Sequence, residues 1–320
     1  MDEIYDLIII GAGTAGLVTA QYACRSNLNA LVIEEKMEGG QATLIPLLEN
    51  YPGFPEPIDG FTFAEKMKLQ AVQFGSKFLS GKVTGLGKKK HLFSVSVEKS
   101  DDSIQTLEAK TVVLATGAAH RQLGIPGEFE FYGKGVSYCA NCDGPLFRNK
   151  HIVIIGGGDA ACDEAGFLAH LTDRVTIIHR KHTFRAQRAL AERTLKNPHI
   201  HVRFNSVVTA INGSKNENGH EKLTSITVEN VHTGAAEEVA CDAVFISIGM
   251  DPRTELAALA RKDEAGYLIT DENMQTSIPG LFAAGDLRAK PFRQLVTAAA
   301  DGAIAARSAA EYIDIHIRGT

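Results

Sequence analysis

Two features of this chain have residue types and spacing suited to chemistry. One is a close cysteine pair, Cys139-Ala140-Asn141-Cys142, followed at once by Asp143. The other is a pair of glycine-rich turns, Gly11–Gly16 and Gly156–Ala161. Two residues between cysteines suit a small disulfide ring, and thiols in such motifs often have depressed pKa values. The pair reads as a dithiol that cycles, with half a zinc site or two ordinary thiols as the other readings. Zinc would need a second close pair of ligands. Cys24, Cys162 and Cys241 stand isolated, and His199 and His201 are separated only by Ile200, so no metal is expected. Asp143 could cap a helix before Gly144-Pro145, or pass protons to and from a thiolate as the disulfide opens and closes.

The glycine turns point to nucleotides. Leu7–Ile10 is a continuous apolar run rich in β-branched residues, expected to be a buried parallel strand. It enters Gly11-Ala12-Gly13-Thr14-Ala15-Gly16; a helix is expected over about Leu17–Ser26 and a second strand over Ala30–Ile33, ending at Glu34. Gly11 permits the tight turn, Gly13 lets backbone approach a pyrophosphate, and Gly16 lets helix pack on strand. The helix N-terminus then offers free N–H groups to the phosphates. The pattern recurs as strand His151–Ile155, turn Gly156-Gly157-Gly158-Asp159-Ala160-Ala161, a helix, and strand Arg174–Ile178. Gly11 to Glu34 and Gly156 to His179 both span 23 positions. The end of the second strand is thus an acid in one copy and His179-Arg180-Lys181 in the other, with Arg185 nearby. A carboxylate there accepts hydrogen bonds from a ribose diol and repels a 2′-phosphate, whereas cations attract that phosphate. The first site is expected to take FAD or NAD, the second NADP(H).

The elements around these turns give the organisation. At 320 residues the chain is long enough for two domains. It leaves the first nucleotide unit near Val112–Gly117 and returns after a matching strand, Ala243–Gly249. Gly280–Asp286 reads as another buried strand ending at Gly-Asp, followed by a small-residue helix over Gln294–Tyr312. The expected fold is α/β: two Rossmann-like, three-layer ββα dinucleotide-binding domains, one inserted in the other. The discontinuous outer domain is 1–117 with 248–320, and the inserted one, carrying the cysteine pair, is 118–247. Gly87–His91 reads as a solvated turn. Glu98–Ser103 and Asn212–His220 read as polar loops between alternating strands such as Phe93–Val97 and Ser225–Val228, and Asn50–Gly60 as an irregular loop.

Composition narrows the function classes. The chain is 44% hydrophobic and 22% charged, with net charge −5 and no basic stripe, which argues against a general nucleic-acid binder. No apolar stretch approaches the roughly 20 residues that span a bilayer. The start, Met1-Asp2-Glu3, lacks the cationic region and long apolar core of a signal peptide, so a cytoplasmic protein is expected. In a reducing compartment a close pair among five cysteines is catalytic or metal-binding rather than a structural staple.

Taken in order, Gly11–Gly16, Gly39-Gly40-Gln41, Asn50-Tyr51-Pro52-Gly53, Ala115-Thr116-Gly117, Cys139–Asp143, Gly156–Ala161, His179–Arg185, Gly285-Asp286 and Arg293-Gln294 resemble the low-molecular-weight, bacterial-type thioredoxin reductases (pyridine nucleotide-disulfide oxidoreductase class II) over essentially the whole chain. The resemblance implies FAD at Gly11, Gly13, Ala15, Gly16, Glu34, Gly40, Gln41, Asn50, Thr116, Gly117, Gly285, Asp286, Arg293, Gln294 and Leu295. It implies NADPH at Gly156, Gly158, Asp159, Ala160, His179, Arg180, Lys181 and Arg185. Cys142 would face the flavin, Cys139 would attack the disulfide of thioredoxin or a thioredoxin-like partner, and Asp143 would be the acid–base group. A homodimer and a rotation of the insert about the crossings near 116–118 and 247–249 are also implied. Asn141 stands where the family usually has Thr. Lys181 stands where it usually has Arg, keeping the charge without the planar fork. Other readings of the scaffold are an oxygen-dependent dithiol oxidase, with little use for Arg180 and Arg185, and a ferredoxin–NADP reductase, with no need of the cysteine pair. A non-enzymatic one is a redox-sensing flavoprotein.

Overall fold

The computed structural model describes residues 3–45, 48, 50–215 and 221–318. The chain runs β1 (Ile4–Ile10), α1 (Thr14–Arg25), β2 (Ala30–Glu34), α2 (Gly60–Gln73), β3 (Lys77–Ser80), β4 (Lys82–Lys89), β5 (Leu92–Glu98) and β6 (Ile104–Leu114). There follow β7 (Ala118–His120), β8 (Val136–Ser137), α3 (Ala140–Asp143), β9 (Ile152–Gly156), α4 (Asp159–Leu168), β10 (Val175–Ile178), α5 (Arg188–Lys196) and β11 (Ile200–Arg203). The remainder is β12 (Ser206–Lys215), β13 (Glu221–Asn230), β14 (Ala236–Ala240), β15 (Ala243–Ser247), β16 (Met250–Pro252), β17 (Leu281–Ala283) and α6 (Leu295–Ile313). Two compact units result: one is the chain up to Ala119 together with the chain from Asp251 onward, the other His120–Met250. The divisions fall within β7 and at the end of the residue that opens β16, the two connecting strands, which pair with one another. They lie slightly beyond the 117/118 and 247/248 boundaries expected from sequence.

The first unit is built on a sheet ordered β3-β2-β1-β6-β5-β4, with β17 also on β6. β1 lies parallel between β2 and β6, with Ile8 opposite both Leu31 and Val112. Successive strand residues face opposite sides, and here both sides are buried. Leu7, Ile9 and Val32 pack with α1 and α6. Ile8, Ile10, Leu31 and Ile33 pack with Phe93, Val95 and Val97 of β5. A strand covered on both faces must be apolar throughout, which is why Leu7–Ile10 lacks alternation. Helix α6 buries its small residues Ala298, Gly302, Ala305 and Ala309. A Cβ on Gly302 would lie 2.3 Å from the Ala15 carbonyl oxygen, so the small-residue stripe is the condition for α1 and α6 to pack.

The second unit repeats this plan. A parallel sheet β11-β10-β9-β15-β8 lies between two layers. Ile152, Ile154, Val175 and Ile177 pack against Ala161, Ala165 and Leu168 of α4. Val153, Ile155 and Ile178 pack against Val208, Ile211, Ile226 and Val228 of the antiparallel sheet β12-β13-β14.

Local expectations need correction in two places. Gly87–Lys89 belongs to β4, whose ladder with β5 runs to Lys89↔Leu92, so the turn is only Lys90-His91. Lysine side chains on an exposed ladder mimic a loop in composition. Likewise Asn212–Lys215 continues β12 opposite Glu221–Ser225, because ladder pairing with β13 outweighs its polar composition. The rest of that expected loop, 216–220, lies outside the described residues, as do Met1 and Asp2.

Candidate functional site

In the first unit, β1 delivers the chain into the turn at Gly11, and α1 starts at Thr14 with Gly13 at its N-cap. A Cβ on Gly16 would lie 1.9 Å from the Gly11 carbonyl oxygen, so only glycine lets the helix close on the strand end. Gly13 is the opposite case: a Cβ there would meet nothing within 4 Å. The turn therefore presents open backbone beside the first N–H groups of a 12-residue helix, the arrangement that accepts a pyrophosphate. Glu34 ends β2, its Oε2 accepting the Ala12 N–H at 2.7 Å and its Oε1 the Lys36 N–H at 3.0 Å. These bonds fix the carboxylate beside the turn, where a ribose diol would meet it.

The other first-unit candidates form a connected frame. Gly40 and Gln41 open a 3-10 turn over Gly40–Leu44, and the Gln41 amide donates to the Ala118 carbonyl. The Thr116 hydroxyl donates to the Arg253 carbonyl at 2.6 Å, and the Arg253 N–H to the Gly117 carbonyl at 3.0 Å. The Asn50 amide donates to the Gln294 side chain at 3.1 Å, and Gln294 caps α6 reciprocally with Thr297. Leu295 joins the cluster around Ala42, Leu48 and Phe63. Arg293 stacks over the Tyr267 ring at 4.0 Å and reaches the Asp286 and Arg288 carbonyls.

The Gly285-Asp286 turn rests on a residue that sequence reading passed over. Asp301, buried on α6, accepts the Gly285 N–H at 3.0 Å and pairs with Arg288 at 2.8 Å and Lys290 at 3.1 Å. Asp286 Oδ1 is buried without a hydrogen bond, although Lys290 Nζ lies 3.1 Å away, within ion-pair reach but not aligned as a donor. An orphaned carboxylate oxygen at this strand end fits a hydroxyl-bearing ligand, because burying it unsatisfied would otherwise be costly. Open backbone at Gly13 and the unused oxygen of Asp286 together fit FAD. The signal for Asp301 was present in sequence: one acid among the small residues of α6, on the face the helix must bury.

In the second unit, Gly156 ends β9 and Gly158 is the N-cap of α4, which begins at Asp159-Ala160. A Cβ on Gly158 would meet nothing within 4 Å, so this turn too presents open backbone. Arg180, Lys181 and Arg185 are exposed. Two bonds tie their loop to the turn: the Arg185 N–H donates to the Gly157 carbonyl at 2.7 Å, and the Gln187 N–H to Asp159 Oδ1 at 2.7 Å. His179 is placed differently. It is 6% exposed, its Nε2 lies 3.0 Å from the Thr183 carbonyl, and its ring sits under Gly157, where a Cβ would clash at 2.2 Å. Burial holds its imidazole below the usual histidine range, so the three exposed residues carry the positive charge. Three cations beside an open glycine turn fit a nucleotide with an additional phosphate.

The cysteine pair lies in the same unit. Cys139 and Cys142 form a disulfide at the start of α3, half-buried, and the Cys142 N–H donates to Cys139 Sγ at 3.2 Å. Exposed Asn141 lies between them. Asp143 caps nothing with its side chain. Its Oδ2 instead accepts the Ser137 hydroxyl at 2.6 Å, and burial pushes its carboxyl above the usual range, opposed by that bond. A carboxyl near a disulfide whose pKa is raised by burial keeps its proton to higher pH than an exposed one, which suits it to pass a proton to a thiolate. No group of three or more metal-ligating side chains occurs among the described residues, and no helix there is long and apolar enough to cross a membrane.

Residues 5–303 match the family model for pyridine nucleotide-disulphide oxidoreductases. A thioredoxin reductase of Treponema pallidum is 57% identical, the alignment covering 98% of this chain and 99% of that protein. A thioredoxin reductase of Listeria innocua is 41% identical over 98% of this chain and 95% of its own length. The crystal structure of thioredoxin reductase from Streptococcus pyogenes superposes with a TM-score of 0.90 at 40% identity, covering 98% of this chain and all of that one.

Proposed function

This chain belongs to the pyridine nucleotide-disulphide oxidoreductase family, and from that premise we propose that it is a thioredoxin reductase, an enzyme that passes electrons from NADPH through FAD and the Cys139–Cys142 pair to the disulfide of thioredoxin or a thioredoxin-like protein. One observation carries the reading: a closed disulfide followed by a carboxyl that burial pushes above its usual range, in the same unit as a glycine turn lined by cations. The end-to-end likeness to proteins named thioredoxin reductase supports thioredoxin as the acceptor and does not favour a dithiol oxidase.

FAD, when bound, supplies the means of accepting two electrons from the nicotinamide and delivering them to a disulfide. The Gly11–Gly16 turn would take its pyrophosphate, Glu34 its adenine-side ribose, and Asp286 a hydroxyl of its ribityl chain. Gly40, Gln41, Asn50, Thr116 and Gly117 would line it, and Arg293, Gln294 and Leu295 would cover its ring. NADPH would lie along Gly156, Gly158, Asp159 and Ala160, with Arg180, Lys181 and Arg185 gripping its 2′-phosphate and His179 setting the floor of the turn. Cys142 accepts the electrons and Cys139 departs as the thiolate that attacks the partner. Asp143 supplies the proton that each departing sulfur of the partner disulfide needs. We further propose a cytoplasmic homodimer.

Anaerobic mixing of the purified flavoprotein with NADPH tests the reading. The flavin band should bleach with NADPH and far more slowly with NADH, and oxidised bacterial thioredoxin should restore it. Cys142→Ser should leave bleaching intact and abolish thioredoxin reduction. A flavin that NADPH leaves unbleached would instead indicate the oxidase, and turnover surviving Cys142→Ser would refute the electron path.

A further inference from the structure

Asp143 uses one carboxylate oxygen and leaves the other idle. Oδ2 accepts the Ser137 hydroxyl at 2.6 Å, whereas Oδ1 is buried with no hydrogen-bond partner among the described residues. The same serine oxygen accepts the Cys139 backbone N–H at 3.0 Å. An amide N–H can only donate. The hydroxyl must therefore accept from Cys139 and spend its single proton elsewhere, and Oδ2 is the acceptor in reach. Ser137 is 3% exposed and ends β8, paired with Phe245 of β15, so its hydroxyl is fixed by the sheet and not by a loop.

We infer that Ser137 is a positioning residue for the disulfide exchange: by occupying Asp143 Oδ2 it confines the exchangeable proton of Asp143 to Oδ1. This rests on the reading of Asp143 as the acid–base group. A proton on Oδ2 would face the serine proton and deprive that hydroxyl of its acceptor. Confined to Oδ1, the proton has no competing partner and is available to sulfur.

The exchange then balances. The Cys139 thiolate attacks the partner disulfide, forming a bond to one partner sulfur and breaking the partner S–S bond. The sulfur released takes the Oδ1 proton and leaves Asp143 a carboxylate. The Cys142 thiol gives its proton to Oδ1 and attacks Cys139, restoring the Cys139–Cys142 bond. The second partner sulfur departs as a thiolate and takes that proton in turn. The partner gains two electrons and two protons; the enzyme loses the same.

Titratable neighbours bear on the pH dependence. The segment before β8 brings the Tyr132 phenol, raised by burial and by the Asp143 charge. Helix α4, packed on α3, carries Asp159, Asp163 and Glu164. The Ser137 bond favours the ionised form of Asp143, so its loss raises the Asp143 pKa further.

The test is single-turnover oxidation of the NADPH-reduced holoenzyme by oxidised bacterial thioredoxin between pH 5.5 and 9.5. Ser137→Ala should slow exchange about tenfold at the optimum and move the alkaline limb up by roughly half a pH unit or more. Ser137→Thr and Ser137→Val have the same shape and differ in the hydroxyl, so Thr should restore limb and rate and Val should not. Should Ala fail to fold, the Thr–Val pair decides the matter. Asp143→Asn should remove the limb altogether. A Ser137→Ala profile superposing on wild type while Asp143→Asn loses the limb would overturn the role of Ser137 alone, as would a Thr variant that behaves like Val. A wild-type rate and limb in Asp143→Asn would instead sink the acid–base reading.

Discussion

The backbone N–H of Arg185 donates to the carbonyl of Gly157 at 2.7 Å, so the loop bearing the cations is hydrogen-bonded to the turn where the pyrophosphate would lie. In the proposed NADPH site, a selector mounted this way would keep a fixed distance from the rest of the nucleotide. With the Gln187 N–H on Asp159 at 2.7 Å, it would also lose little freedom on binding.

Removal of that selector should change cofactor choice and little else. A double Arg180→Ala, Arg185→Ala variant should raise KM for NADPH by tenfold or more, since a charge-assisted hydrogen bond contributes about 1.5–3 kcal/mol. KM for NADH should stay within about twofold, given that NADH has no 2′-phosphate to lose. Steady-state kinetics with both cofactors measures this, and equal losses for the two would refute the assignment.

Lys181→Arg should act in the opposite sense. A guanidinium can meet a phosphate with two parallel bonds where an ammonium is a point charge. The ratio of kcat/KM for NADPH over NADH should rise several-fold, with kcat unchanged.

Asp301→Ala should release flavin. The substitution removes the acceptor for Gly285 N–H and leaves Arg288 and Lys290 without their shared carboxylate. Breaking such a buried pair costs about 3–5 kcal/mol. The variant should lose most of its FAD on desalting and melt at lower temperature. Asp301→Asn, which still offers an oxygen to Gly285, should retain more flavin than Ala. Full flavin retention by the Ala variant would count against Asp301 as the support of the turn.

Glu164 predicts a pH-dependent stability. Burial pushes its carboxyl from 4.5 up to about 7, against the opposing bond from Ser247. For an acid raised in the folded state, stability is unaffected below the unfolded pKa. It falls as pH rises through the window from about 4.5 to about 7, where the unfolded chain releases a proton that the folded one retains. Above that window the deficit is constant. Glu164→Gln should therefore stabilise, by about 2 kcal/mol more at pH 8 than at pH 5.5. Thermal melts at the two pH values check the difference, and a gain independent of pH would exclude the buried carboxyl as its source.

Much of this architecture was legible in the order of residues. A run apolar at every position, Leu7–Ile10, needs both faces covered, and the glycine turn after it needs a helix packed on a strand. Those requirements concern residues a few positions apart, so sequence carries them directly. The same holds for the acid and the cations at the ends of β2 and β10, set by the common 23-residue spacing, and for the ring that Cys139 and Cys142 can close. The tertiary structure decided what depends on partners far along the chain. Ladder pairing made Asn212–Lys215 a strand despite its polarity. Packing turned His179 under Gly157 and left Arg180, Lys181 and Arg185 to carry the charge. Asp301 met Gly285 because α6 folds back on the end of β17, and Ser137 met Asp143 because β8 fixes one end of the bend that α3 completes. Composition and spacing state which groups can react; which oxygen or nitrogen has a partner and which is left free is settled by burial and by contacts between distant segments.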